Sequence, residues 1–247
     1  MTNEVLRQLN ERMSVRLFQE RDVPAEMKEA LLNAAFQAPT AGCQQLYTIL
    51  DITDQALKEE LADLCDHQPF IATAPVVLIF LADCRRWLDA YQVAGCQPRK
   101  PGPGDLLLAM ADSCIAAQNV VVAAHSMGLG SCYIGDILEE CERARALLNL
   151  PEEVVPAAML VIGWPKETKT ERTKPGRAPG KYIVQENRYR TLSPEEHRDL
   201  IAGTGRGLPD YDSWMTAFCK RKYDSDFSRE MSRSAGVYLE PFLRKEN

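Results

Sequence analysis

Four short stretches of this 247-residue chain carry polar groups that helix and strand patterning do not require. The first is RMSVR at 12–16, where Arg12, Ser14 and Arg16 alternate with Met13 and Val15. In an extended segment the three share one face; in a helical turn Arg12 and Arg16 still stack at i, i+4. Two guanidinium forks and a hydroxyl suit a phosphate, and the competing reading is a solvated cationic face paired with Glu11 or Glu20. The second stretch is APTAGCQQLY at 38–47, where Pro39 and Gly42 make a turn and Thr40, Cys43, Gln44 and Gln45 crowd it with polar groups. The third is MGLGSCYIGDI at 127–137, whose glycines let backbone approach something flat or large. It follows a helix, whereas a dinucleotide fingerprint follows a strand and opens a helix. The fourth, TKPGRAPG at 173–180, holds Lys174 and Arg177 in a loop.

Composition narrows what these stretches can serve. With 45% hydrophobic and 26% charged residues the chain is ordinary globular protein with room for a large core. A net charge of -6 argues against general nucleic-acid binding, which needs a basic surface. The segment from Lys166 to Arg190 nevertheless holds eight Lys and Arg (166, 169, 172, 174, 177, 181, 188, 190) against Glu167, Glu171 and Glu186. One basic segment in an acidic chain suits a specific anion. Eight cysteines are scattered without a C-x-x-C pair, and the N-terminus lacks an apolar leader. This predicts a reduced, cytoplasmic protein whose cysteines are mostly small core residues. The apolar tract at 104–130 is broken by Asp105, Asp112, Gln118, Asn119 and His125, so it reads as a buried soluble helix, with no membrane contact. His125 within it reads as a hydrogen-bonded core residue.

The elements that position these groups follow from periodicity. DVPAEMKEALLNAAFQAP predicts a helix with Asp22 as cap and Pro24 near its first position. QALKEELADLC at 55–65 predicts another, and PVVLIFLAD from Pro75 a buried strand. Residues 84–104 read as a loop, followed by a central helix from Asp105 to Met127 that Gly128 ends in a left-handed cap. A helix from Asp136 to Leu148 and a strand within 154–165 come next. After Arg190 come PEEHRDLIAG, a Gly-rich turn GTGRG, and two helices expected around Tyr211 to Lys222 and Phe227 to Leu243. The order gives an α+β architecture rather than a doubly wound sheet: residues 1–190 as the main domain and 191–247 as a helical extension packed on the core or on a partner chain.

Taken together, the motifs resemble the nitroreductase family of FMN-dependent oxidoreductases, from about Arg12 to Tyr189. RMSVR is similar to that family's R-x-S-x-R opening, APTAGCQQ to its APS-x-x-N-x-Q loop, and GLGSCYIG to its GLG-[ST]-C-[WP]-I-G turn. The tail EMSRSAGVYLEPF resembles the C-termini of some anaerobe-type members. The resemblance implies a mixed, mostly antiparallel sheet flanked by helices, with a long central helix. It implies that Arg12, Ser14 and Arg16 hold the FMN phosphate and ribityl chain, with Lys174 and Arg177 at the phosphate end. The backbone of Tyr133, Ile134, Gly135 and Asp136 would run along the flavin edge, the Gly135 amide donating toward N5. Pro39, Thr40, Ala41, Cys43 and Gln45 would reach the ring from the other protomer of a homodimer. NADH or NADPH would donate hydride and a nitroaromatic, quinone or related small acceptor would take it in a ping-pong cycle, the flavin carrying the chemistry. A non-catalytic FMN-binding or regulatory protein is the alternative. The chain departs from the pattern at Cys43, where asparagine is usual, at Thr40, where serine is usual, and at Leu46 and Tyr47, which replace Pro-Trp. Cys43 is expected to be a small buried residue, a redox-active thiol being the other reading. Tyr91, Arg99 and Lys100 are candidate acceptor or nicotinamide contacts.

Overall fold

The computed structural model describes residues 3–166 and 174–244. Contacts divide the chain into two compact units, Met1–Glu167 with Glu230–Asn247, and Thr168–Arg229. Their bounds differ from the division at residue 190 read from the sequence, because the last helix returns to the first unit.

In the first unit, α1 (Glu4–Glu11) is capped by Asn3, whose side chain accepts from the Leu6 amide. Helix α2 (Ala25–Phe36) starts after Pro24, which occupies the cap position itself; Asp22 lies outside it. Strand β1 (Tyr47–Asp51) leads into α3 (Gln55–Leu64), capped by Asp54, and the single turn α4 (Pro69–Ala72). Strand β2 (Val76–Asp83) is buried throughout. Helix α5 (Arg86–Val93) occupies part of the span expected to be loop. Its start is fixed by Asp83, whose carboxylate accepts from the Arg85 and Arg86 amides at 2.9 Å. The long α6 (Pro103–Ser126) ends as expected, with Gly128 at φ +79° and the Leu129 amide donating back to the Ala124 carbonyl. Strand β3 (Gly130–Ile134) follows. The helix expected over 136–148 splits into a 3-10 turn at Asp136–Leu138 and α7 (Cys141–Leu148), because Glu140 adopts a left-handed φ of +45°. Strand β4 (Val154–Gly163) completes the sheet.

The sheet order is β1-β2-β4-β3, with every pair of these strands antiparallel. Antiparallel sheets commonly wet one face, yet here both are covered, which accounts for the unbroken apolar run of β2. Val77, Ile79 and Leu81 enter a core with Leu61, Ile71 and Ala144. Val76, Leu78 and Phe80 enter the opposite core with Leu31 of α2 and Ala116, Val120 and Ala124 of α6. Helix α6 is long and apolar enough to cross a membrane by length and composition, and it packs along all four strands and α2 as a core helix does.

The second unit contains α8 (Gly180–Ile183), α9 (Pro194–Ala202) and α10 (Tyr211–Lys222). Helix α9 opens on a capping box between Ser193 and Glu196. Helix α11 (Asp226–Leu243) starts there and, from Glu230 on, belongs to the first unit, where Tyr238 and Phe242 pack with Ala82, Leu106 and Ala109.

The cysteines depart from expectation. Cys65, Cys132 and Cys141 are buried and Cys84 is half-buried, whereas Cys43, Cys96, Cys114 and Cys219 are exposed.

Candidate functional site

The segment after α1 is extended, so the strand reading of RMSVR holds and the helical one does not. The Val15 amide donates to the Ser131 carbonyl at 2.9 Å, and Ser14 and Ser131 form a parallel bridge. Farther on, Phe18 bridges Pro165, and the Gln19 amide donates to the Trp164 carbonyl. This seam depends on Gly130. A Cβ there would meet the Val15 side chain at 2.6 to 2.9 Å, so Gly130 leaves room for Val15 and not for a ligand. Gly135 is the open one of the three, with nothing within 4 Å of where a Cβ would stand.

Arg12 and Ser14 are half-buried and Arg16 is exposed. Among the described residues neither guanidinium has an ion pair or hydrogen bond: of the two neighbours expected to neutralise them, Glu11 pairs with Arg7 and Glu20 pairs with neither. An unpaired, half-buried guanidinium is costly unless an anion completes it. Arg12 lines a cavity of about 290 Å³ with Val15, His125, Gly130 and Ser131; Ser14 and Arg16 do not line it. Their influence falls on Cys132, whose thiol is pushed up by burial and drawn back down by Arg16, a hydrogen bond with Ser14, and Arg12. His125 is not the bonded core residue expected: it is half-buried beside Arg12, and desolvation lowers its pKa.

Strand β3 carries the next candidates. Tyr133 is exposed and its hydroxyl donates to Gln118 Oε1 at 3.3 Å, Ile134 is buried, and Asp136 opens the 3-10 turn, its carbonyl accepting from the Glu139 amide at 2.9 Å. Glu139 is 7% exposed, and burial together with Asp136, Asp66, Glu230 and Glu140 pushes its carboxyl up to about 7. From α11, the buried Ser234 hydroxyl donates to the Leu138 carbonyl at 2.6 Å and accepts from the Cys141 amide at 2.9 Å.

The loop at 39–46 is held by a residue that sequence reasoning did not single out as functional. The Asp112 carboxylate on α6 accepts from the Thr40 hydroxyl, from the Ala41 amide at 3.1 Å and from the Leu46 amide at 3.2 Å. Its signal in the sequence is an acid at the helical spacing of Leu106, Ala109 and Ala116. Pro39 and Cys43 are exposed, and Thr40, Ala41 and Gln45 half-buried. The amide pair has structural work: the Gln44 carbonyl accepts from Trp87 Nε1 at 2.8 Å, its side chain donates to the Tyr91 hydroxyl, and Arg86 donates to the Gln45 carbonyl. Tyr91 and Arg99 line a cavity of about 390 Å³ with Trp87, Asp105 and Leu108; Lys100 lines a neighbouring one. Arg99 there makes a two-pronged pair with Asp105 at 2.6 and 3.0 Å.

Lys174 and Arg177 are exposed in the second unit, and Lys169 and Arg172 of the basic segment lie outside the described residues. Among the described residues no group of His, Cys, Asp and Glu side chains could hold a metal ion.

The arrangement so far is two arginines flanking Ser14, which bridges Ser131 of β3, with the open Gly135 just past the end of that strand. Known proteins share the chain that builds it. An oxygen-insensitive NADPH nitroreductase of Salmonella typhimurium is 36% identical over 235 residues, covering 94% of this chain and 93% of the relative. An FMN reductase (NADPH) of Bacillus subtilis is 30% identical over 249 residues, covering 100% and 98%. Nitroreductase A from Vibrio parahaemolyticus, 22% identical, superposes with a TM-score of 0.82 over 97% of this chain and 98% of its own, which shows the shared fold. The model of the nitroreductase family matches residues 9–164, the span from α1 through the end of the sheet, and the chain belongs to that family.

Proposed function

We propose that the protein is an FMN-dependent oxidoreductase that takes hydride from NADH or NADPH and passes it to a nitroaromatic, quinone or related acceptor in a ping-pong cycle. The observation that carries this reading is the half-buried Arg12 without an ion pair among the described residues, beside Ser14 and Arg16 on the edge of β3. A phosphate monoester dianion fits that donor set, since it takes bidentate guanidinium contacts and a hydroxyl. The open corner at Gly135, with no Cβ to fill it, fits the edge of a flat ring. Relatives named for NADPH nitroreductase and FMN reductase activity support the same cofactors.

FMN, when bound, supplies two-electron redox chemistry; the chain binds and orients it. Arg12, Ser14 and Arg16 would neutralise and hold its phosphate; Lys174 and Arg177 are offered for that end by the family resemblance alone. The Tyr133–Asp136 backbone would run along the ring, where the Gly135 amide would offer a donor. Pro39, Thr40, Ala41, Cys43 and Gln45 would face the ring held by a second protomer. Support for that homodimer comes from large apolar side chains left exposed on adjoining elements: Val5, Leu6 and Leu9 on α1, Phe36 on α2, and Leu107 and Ile115 on α6. Nicotinamide-dependent turnover and unpaired thiols suit a cytoplasmic setting.

The test is an absorption spectrum of protein purified without added flavin, release and identification of the chromophore, then anaerobic addition of NADH and NADPH. FMN that bleaches with a nicotinamide and recovers with a nitroaromatic or quinone is the expected result. FMN that neither nicotinamide bleaches would favour a non-catalytic flavin-binding protein. A colourless protein that takes up no FMN would refute the reading.

A further inference from the structure

We propose that Asp112 is the positioning residue of the 39–46 loop: one buried carboxylate holds the loop in a strained path that turns Cys43 outward to the acceptor. The link to the acceptor rests on the flavin reading above; the hold on the loop does not.

The loop cannot hold this path by local preference. Gly42, Cys43 and Gln45 have φ of +57°, +56° and +50°, and two of the three are side-chain-bearing residues that disfavour the left-handed region. Such conformations persist when the surroundings over-determine them. The loop's amides show how. Those of Cys43 and Gln44 donate back to the Thr40 and Ala41 carbonyls, and that of Tyr47 to the Gln45 carbonyl, as a tight turn does by itself. The amides of Ala41 and Leu46, at its two ends, go to Asp112. The Gln45 amide goes to the Thr40 hydroxyl at 2.7 Å, and that hydroxyl donates its own proton to Asp112. Thr40 is thus a relay whose donor is spent on the carboxylate, and Asp112 reaches both ends and the middle of the loop.

Asp112 is suited to this. It is 4% exposed, on the core face of α6, and among the described residues no cation pairs with it. Burying an anion there is tolerable because the loop supplies an O–H and two N–H donors to it. Asparagine is not an equivalent: one of its two heteroatoms becomes an NH₂ donor that would face an N–H or the Thr40 hydroxyl. On its other side the loop is tied to α5 through Trp87 and Arg86, so losing Asp112 frees the 40–46 turn without detaching the chain. What is released is the orientation of Cys43, Gln44 and Gln45.

The experiment compares wild type with Asp112→Asn, and with Thr40→Val in case the first variant does not fold, all as full chains. Amide exchange is followed by mass spectrometry on the 40–46 peptide. Alkylation of Cys43 by N-ethylmaleimide is followed by peptide mapping, and KM and kcat are measured for a quinone acceptor. Expected for either variant is exchange faster by about tenfold or more, the scale of one lost charged hydrogen bond, with β2 and β4 peptides unchanged. Cys43 alkylation changes in rate, and the acceptor KM rises more than kcat falls. Wild-type exchange in both variants would overturn the clamp. Faster exchange with unchanged Cys43 alkylation and unchanged KM would overturn the positioning role. Exchange and alkylation are read equally well without flavin, so a failure of the flavin reading is seen separately.

Discussion

Replacing Gly130 by alanine tests the seam on which the phosphate reading depends. A Cβ at 130 would stand 2.6 Å from Val15 Cγ2, 2.7 Å from its Cβ and 2.9 Å from its Cγ1, where carbon contacts normally lie at about 3.5–4.0 Å. Because the Val15 Cβ is itself one of the clashing atoms, no side-chain rotation clears the overlap. The 14–16 backbone must move away by about 1 Å, and overpacking of that kind costs about 1–3 kcal/mol. The displaced strand carries Ser14, which bridges Ser131, so FMN affinity should fall together with stability, by about tenfold for each 1.4 kcal/mol. Moving the glycine across the seam removes every clashing atom. The double variant Gly130→Ala with Val15→Gly should therefore recover most of both losses, less about 0.5–1 kcal/mol for the added chain freedom of glycine. The assay is urea denaturation of the flavin-free protein beside FMN titration by flavin fluorescence. Wild-type stability and affinity in Gly130→Ala, or no recovery in the double variant, would refute the reasoning.

Three further perturbations separate the site from its supports. Arg12→Ala and Arg16→Ala should each weaken FMN by about 1.5–3 kcal/mol, about 10- to 150-fold, by direct titration; an unchanged Kd in both would return these arginines to a solvated face. Glu139 titrates in the fold near 7, above the unfolded value of about 4.3, so the unfolded chain ionises first as pH rises. Stability is therefore lost between about pH 4.3 and 7, and Glu139→Gln should gain on wild type between urea curves at pH 5 and pH 8; an equal gap at both pH values would count against it. Ser234→Ala leaves the buried Cys141 amide without an acceptor and should lower stability by about 1–3 kcal/mol in urea, a loss under about 0.5 kcal/mol being the contrary result.

The sequence made legible whatever is encoded locally. The period of α3, the buried run of β2 and the left-handed cap at Gly128 depend on neighbours within a few residues, and each formed where expected. What escaped is set by distant partners. Strand β3 reads as a glycine turn until β4 supplies its ladder, and Gly130 reads as a ligand approach until Val15 occupies the space. Residue type alone places Cys43 inside, because cysteine usually is; the strained turn puts it outside. Asp112 reads as a break in an apolar helix, but its partners lie 66 to 72 residues earlier, beyond the reach of any local pattern.

The chain leaves its first unit after Glu167 and returns at Glu230, so that unit is one body made from two separate pieces of polypeptide. Its second piece is held by more than covalent continuity: Tyr238 and Phe242 are buried in the core, Ser234 bonds the 138–141 turn, and Arg233 pairs with Glu142 at 2.8 Å. A cut in the 203–210 stretch would thus yield two fragments that stay associated, one native species running as two bands under denaturant. Ending the chain at residue 190 has the opposite effect. It uncovers Ala82, Leu106 and Ala109, and the nitroreductase core can no longer close without the last helix of the polypeptide.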